Sequence, residues 1–214
     1  TVVFYAGHNL LGHGTLSNGS TTFSTKFLSA GGHKITAFYK GAGNYQKSFS
    51  TPASYIVNAK AQTGLGAGSA YSTSGSGPWN TASADFNGDG KLDFVSANYG
   101  IAGAGTTIAL FIGNAPFGIA TGDFNNDNKA DIVVVNLLDN NVGILLGDGT
   151  GGFAPMVTYS SGIGVHPNHV TVSDFNKDGN ADLAIGNYES TFITVMLGAG
   201  NGTFGAGSQY TVGT

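Results

Sequence analysis

The sequence predicts an all-β protein, and three observations carry that prediction. No segment shows a convincing 3.6-residue apolar period, short β-prone runs are punctuated by Gly, Asn and Ser, and one acidic pattern with its following runs recurs three times. The 214 residues are 41 % hydrophobic, which is enough to bury a core and excludes extensive disorder. Only 9 % are charged and 36 are Gly, so Ser, Thr, Asn and the backbone must solvate the surface.

Residues 1–60 contain no acidic side chain. Alternation in TVVFYAG, TTFSTKF and HKITAFYKG, with NGS and AGG between them, predicts three or four antiparallel strands with one buried face. The strand pattern gives way to AKAQTGLGAG, which places a boundary near Val57 to Gly68 and two domains at 1–60 and 61–214.

Nine of the twelve carboxylates fall in three nine-residue windows, DFNGDGKLD (Asp85 to Asp93), DFNNDNKAD (Asp123 to Asp131) and DFNKDGNAD (Asp174 to Asp182). Each leads into an apolar run, FVSAN, IVVVN or LAIGN, and then into a second, TTIALFIG from Thr106, VGILLG from Val142 or TFITVMLG from Thr191. A further run, PMVTYS from Pro155, follows the turn GDGTGGF, so a unit holds roughly four strands. The second and third windows start 51 residues apart and the first and second 38, and the 13 missing residues fall where that turn and run should be. The first unit is therefore expected to lack its outermost strand. The final GNGTFGAGSQYTVGT resembles Gly64 to Trp79, so the chain is expected to stop in mid-repeat.

The windows read as metal loops. Carboxylate or amide oxygens stand at the first, third, fifth and ninth positions: Asp85, Asn87, Asp89 and Asp93; Asp123, Asn125, Asp127 and Asp131; Asp174, Asn176, Asp178 and Asp182. The backbone carbonyl of the seventh residue, Lys91, Lys129 or Asn180, would complete each set. Oxygen-only donors at alternating positions suit Ca²⁺, which takes six to eight oxygens, and about three ions are expected. Position six needs a sharp turn, supplied by Gly90 and Gly179 and, in the second window, by Asn128, which tolerates positive φ. An EF-hand is excluded, because Ser96, Val134 and Ile185 stand where its bidentate Glu belongs and the flanks read as strands. Phe86, Phe124 and Phe175, second in each window, are expected to point into the core. The competing reading is a polar turn, for which Asp, Asn and Gly are also suited. Threefold recurrence and the mutual repulsion of three carboxylates in one loop favour the cation, in a structural role.

These units resemble the FG-GAP/VCBS repeat family, calcium-loop blades of integrin-type β-propellers and of large secreted or surface proteins of bacteria. The windows, the β runs, and the GDGTGGF and GNGTFGAG turns carry the resemblance over about residues 64–214. Residues 1 to about 60 resemble the later part of a bacterial Ig-like domain, carried by TVVFYAGHNLLGHGTLSNGSTTFSTKFLSAGGHKITAFYKGAGNYQ. The resemblance implies a partial Ig-like β-sandwich followed by about three propeller-type blades, located outside the cell or at its surface. Three blades cannot close a ring. The expected partners are the rest of a longer chain or other copies, joined into a fibre through strand edges.

Other function classes find less support. Eight Lys and no Arg give no basic face for nucleic acid, and the absence of Cys excludes disulfides and thiolate chemistry. No apolar run reaches about 18 residues and no secretion signal opens the chain, so it reads as mature and soluble, with no membrane insertion. His166 and His169 in VHPNHV, like His8, His13 and His33, fit no ligand or triad pattern, and Glu189 has no acid partner, so no enzyme is expected. Asn18-Gly-Ser and Asn201-Gly-Thr match the N-glycosylation pattern. The leading expectation is a non-catalytic, calcium-rigidified module for adhesion, display or scaffolding. The alternative is calcium-dependent glycan binding through aromatics such as Tyr71, Trp79, Tyr99, Tyr159 and Tyr188.

Overall fold

A computed structural model describes residues 1–25, 28, 31–58, 77–98, 115–160 and 166–212. Among them are fifteen strands and no helix, so the protein is all-β. The chain divides into two compact units, Thr1–Ala70 with Asn176–Gly179, and Tyr71–Phe175 with Asn180–Thr214.

The first unit is one antiparallel sheet of β1 (Val2–Ala6), β2 (Asn9–Gly14), β3 (Gly31–Tyr39), β4 (Ser48–Phe49) and β5 (Ala53–Val57). β1 lies between β2 and β3, and β3 also pairs with β4 and β5. The period-two pattern of TVVFYAG puts Val3 and Tyr5 on one face, where they pack with Phe38 and Leu10. The stretch TTFSTKF departs from expectation, since its described residues 21–25 form no strand. Its Phe23 instead stacks on Phe4 at 5.3 Å, so the apolar side chain is satisfied by a ring contact rather than by a ladder.

In the second unit, β6 (Pro78–Ala84) pairs with β7 (Asp93–Asn98). Two four-stranded antiparallel meanders follow, β8 (Pro116–Gly122), β9 (Asp131–Asn136), β10 (Asn141–Leu145) and β11 (Val157–Ser160), then β12 (His166–Ser173), β13 (Asp182–Tyr188), β14 (Phe192–Met196) and β15 (Ser208–Thr211). These are the four strands per repeat that the sequence predicts. The TTIALFIG run of the first repeat lies outside the described residues.

The repeats bury their apolar faces against one another. β8 packs against both β6 and β12. One core cluster joins Phe86, Val95 and Ala97 of the first repeat to Ile119, Ile132, Val134 and Leu145 of the second. Every residue of β9 is buried, which explains why IVVVN is a continuous apolar run rather than an alternating one. Leu183 and Ile185 occupy the matching strand β13 with no exposed surface.

Leu183→Ala is expected to destabilise the second unit by about 2–5 kcal/mol through lost transfer energy and an unfilled cavity. Urea unfolding followed by fluorescence will measure it.

Candidate functional site

The three acidic windows form the turns β6–β7, β8–β9 and β12–β13, so one loop geometry is repeated three times at the same corner of each hairpin. Alternate side-chain oxygens cap the loop's own amides. The third-position Asn accepts from the fifth-position N–H in every loop, at 2.9 Å (Asn87, Asp89), 3.1 Å (Asn125, Asp127) and 2.8 Å (Asn176, Asp178). The first-position carboxylate accepts from the sixth-position N–H, Gly90 to Asp85 at 2.7 Å and Asn128 to Asp123 at 2.8 Å. Lys91 and Lys129 donate their amides to Asp89 and Asp127 at 2.8 and 2.9 Å. These are Asx turns in series.

Two positions per loop are left-handed. Position six has φ of 82° at Gly90, 63° at Asn128 and 83° at Gly179, so Asn128 does replace glycine there, as the sequence suggests. Position four, which the sequence reading passes over, is left-handed too, at Gly88, Asn126 and Lys177.

The ninth-position aspartate is fully buried in the second and third loops, as Asp131 and Asp182, and half-buried in the first, as Asp93. Its Oδ2 accepts the amide of the second-position Phe, at 3.0 Å for Asp93, 2.7 Å for Asp131 and 2.9 Å for Asp182. The Oδ1 of Asp131 and of Asp182 accepts, at 2.8 Å each, the amide of Gly147 or Gly198 beyond the next strand. Burial pushes the Asp131 carboxyl up to about 6, although the Gly147 and Phe124 amides oppose this and the nearby Asp123 and Asp127 charges add to it. Asp148 moves the other way, held below the usual carboxylate range by the Thr150 amide and hydroxyl.

The first two loops also meet the turn of the following repeat. Phe86 packs edge-on against Phe153 (5.6 Å) while its carbonyl accepts the Gly151 amide at 2.9 Å. Phe124 repeats this with Phe204 (5.5 Å) and the Gly202 amide at 2.8 Å. Asn126 adds a clasp, donating to Asn180 Oδ1 and to the Gly200 carbonyl, both at 3.1 Å. The sequence marks the turns but not what they touch.

All fifteen residues proposed from the sequence as calcium donors lie in described loops. Within a loop they share one short turn, yet among the described residues no three His, Asp or Glu side chains converge as a formed metal cluster. The carboxylates lean instead on backbone amides, and Lys91 and Lys129 pair with Asp89 and Asp127 at 3.4 and 3.3 Å, exposed contacts of little energetic weight. Phe175 corrects an expectation. Phe86 and Phe124 are buried, whereas Phe175 is 45 % exposed, because no following turn in the described structure packs on it. Trp79 and Tyr188 are exposed, Tyr159 is half-buried against Phe204, and Tyr71 and Tyr99 lie outside the described residues. His166 and His169 stand on β12 without a metal-site companion among the described residues.

Comparison with known families agrees with this geometry. Residues 123–185 match an FG-GAP-like repeat and residues 166–211 an FG-GAP repeat. Residues 123–211 carry the FG-GAP signature. Residues 1–58 match a bacterial Ig-like domain (group 3), so both resemblances read from the sequence hold over these spans. The first acidic loop, Asp85–Asp93, precedes the matched FG-GAP span but shares its hydrogen-bond plan. No curated protein matches the chain closely enough to count as a relative. No helix of the described residues is long and apolar enough to cross a membrane.

A carboxyl raised in the folded state binds more protons there than in the unfolded chain. Its contribution is therefore complete below about pH 4 and is lost as pH rises through about 6. In chelator-treated buffer, Asp131→Asn is expected to flatten this part of the stability profile, measured by urea midpoints between pH 4 and 7. An unchanged slope would remove Asp131 as the source.

Proposed function

We propose that the chain is a non-catalytic, calcium-stabilised structural or adhesion module of an extracellular repeat protein. The observation that carries the proposal is charge balance in a repeated scaffold. Each FG-GAP-type loop holds three Asp and one Lys, an excess of two negative charges, in the same backbone-capped turn. One divalent cation per loop neutralises it.

The donor chemistry fits. Every candidate is oxygen: the first, third, fifth and ninth side chains (Asp85, Asn87, Asp89 and Asp93 in the first loop) and the seventh carbonyl (Lys91, Lys129 or Asn180). Asp85 Oδ1 is buried with no hydrogen-bond partner, a position that a cation would satisfy. The ninth carboxylate's oxygens already accept amides, but each has a further lone pair to offer. A loop whose donors are all needed for coordination is left with nothing for chemistry, which supports a structural ion. Location outside the cell follows from the usual setting of FG-GAP repeats and from millimolar calcium there. The outer strand β15 is exposed along its length, which supports assembly with other copies by strand addition.

Calcium is expected to raise the thermal midpoint and a chelator to lower it. At a hundredfold excess over Kd a single site supplies about 2.7 kcal/mol. Coincident melting curves with calcium and with chelator would overturn the calcium reading. A second reading, glycan binding, draws on Trp79, which is 56 % exposed and sits 4.6 Å from the Phe117 ring. A glycan array silent in the presence of calcium would remove it.

A further inference from the structure

The backbone nitrogen that follows an asparagine can attack the side-chain carbonyl carbon and expel ammonia. Attack is easiest when the following residue is Gly, which has no Cβ to crowd the approach. The chain holds three such pairs, Asn18-Gly19, Asn87-Gly88 and Asn201-Gly202, and the fold treats them differently.

Asn18-Gly19 is the tip of a tight turn closed by Ser17 and Ser20, whose amides donate to each other's carbonyls at 2.8 and 3.0 Å. The Ser20 amide is thereby engaged, so it does not reach the side chain of the exposed Asn18. Asn201 is constrained in the opposite way. Its Oδ1 accepts the Thr203 amide at 3.1 Å and the Thr203 hydroxyl at 2.6 Å, but the attacking group, the N–H of buried Gly202, donates to the Phe124 carbonyl at 2.8 Å.

Asn87 has neither constraint. Its Oδ1 accepts the Asp89 amide at 2.9 Å, which polarises the carbonyl carbon and stabilises the charge that develops on oxygen during attack. Gly88 is exposed and left-handed, with φ of 74°, and its amide makes no hydrogen bond among the described residues. The other two acidic loops carry the same side-chain bond, from Asn125 to Asp127 at 3.1 Å and from Asn176 to Asp178 at 2.8 Å. There, however, the next residues are Asn126 and Lys177, each of which sets a Cβ beside the attacking nitrogen.

We propose that Asn87 is a self-modification site, where the chain converts an amide into a carboxylate without an enzyme. The Gly88 nitrogen bonds to Asn87 Cγ, the Cγ–Nδ2 bond breaks, and ammonia leaves with the former Gly88 amide proton. One water molecule then opens the cyclic imide. Cleavage between Cγ and nitrogen gives aspartate, and cleavage between the main-chain carbonyl carbon and nitrogen gives isoaspartate, whose main chain is one carbon longer. Either product adds a negative charge to a loop whose three Asp and one Lys already leave an excess of two. Of the three acidic loops, only the first ages in this way. The inference does not rest on calcium.

The test incubates the full 214-residue chain at neutral pH in heavy-oxygen water with chelator present, so that it stands apart from the calcium reading. Peptide mapping by mass spectrometry follows each asparagine, and electron-based fragmentation separates isoaspartate from aspartate. Conversion at Asn87 is expected to run about tenfold faster than at Asn18 or Asn201, with solvent oxygen incorporated. In urea, where the fold no longer distinguishes the three pairs, the rates should converge. Gly88→Asn, which installs the residue found at the same left-handed position of the second loop, should slow Asn87 to the rate of Asn125. Conversion at Asn18 that matches or outruns Asn87 in the folded chain overturns the proposal, as does a rate ratio that urea leaves unchanged. A folded Gly88→Asn chain that converts at the original rate overturns it too. Conversion at Asn87 alongside calcium-insensitive melting would sink the calcium reading and leave the modification site standing.

Discussion

A buried carboxylate that accepts two backbone amides ties the second unit together. Asp131 receives the N–H of Phe124 on its own hairpin and that of Gly147 beyond the next strand, and Asp182 does the same with Phe175 and Gly198. Both aspartates have no exposed surface. Leaving either amide unpaired in such a place costs about 1–3 kcal/mol, so the loop's shape, the start of the following strand and the position of the glycine turn are linked through one side chain. Because the turn then meets the preceding repeat's Phe, each repeat's internal pin also sets its grip on its neighbour.

This arrangement gives the acidic loops two separable jobs. The ninth aspartate faces inward and holds backbone. The first and fifth accept the loop's own amides, and a bound cation would draw on the same oxygens. A polar turn and a metal loop are therefore not rival descriptions of these residues: the Asx hydrogen bonds shape the turn, and the charge that remains is what an ion would answer.

Much of the fold was legible because it depends on local pattern. The alternation of TVVFYAG, the run IVVVN and the repeated windows each mark a strand or turn by residue type alone, and β1, β9 and the three loops lie where those patterns place them. TTFST misled because β-propensity measures fit to a half-buried surface, and Phe23 finds that surface in the Phe4 ring without joining a ladder. At the loops, positive φ at Asn128 was readable from its tolerance of that region, whereas the same conformation at Lys177 carries no residue-type signal. The exposure of Phe175 was not legible either, since it depends on a contact between repeats that only the coordinates of its two counterparts define.

The first glycine of each turn carries a longer-term consequence. A Cβ on Gly147 or Gly198 would collide with the Ala130 or Ala181 carbonyl, so neither position admits any other residue without moving a strand. Thr150 and Asn201 are exposed one step before the glycine that meets the neighbouring loop. Yet the Thr150 hydroxyl donates to Asp148 at 2.8 Å and Asn201 Oδ1 accepts the Thr203 amide at 3.1 Å, so even these outward tips brace the turn, and replacing either with Ala would loosen the frame that holds the glycines.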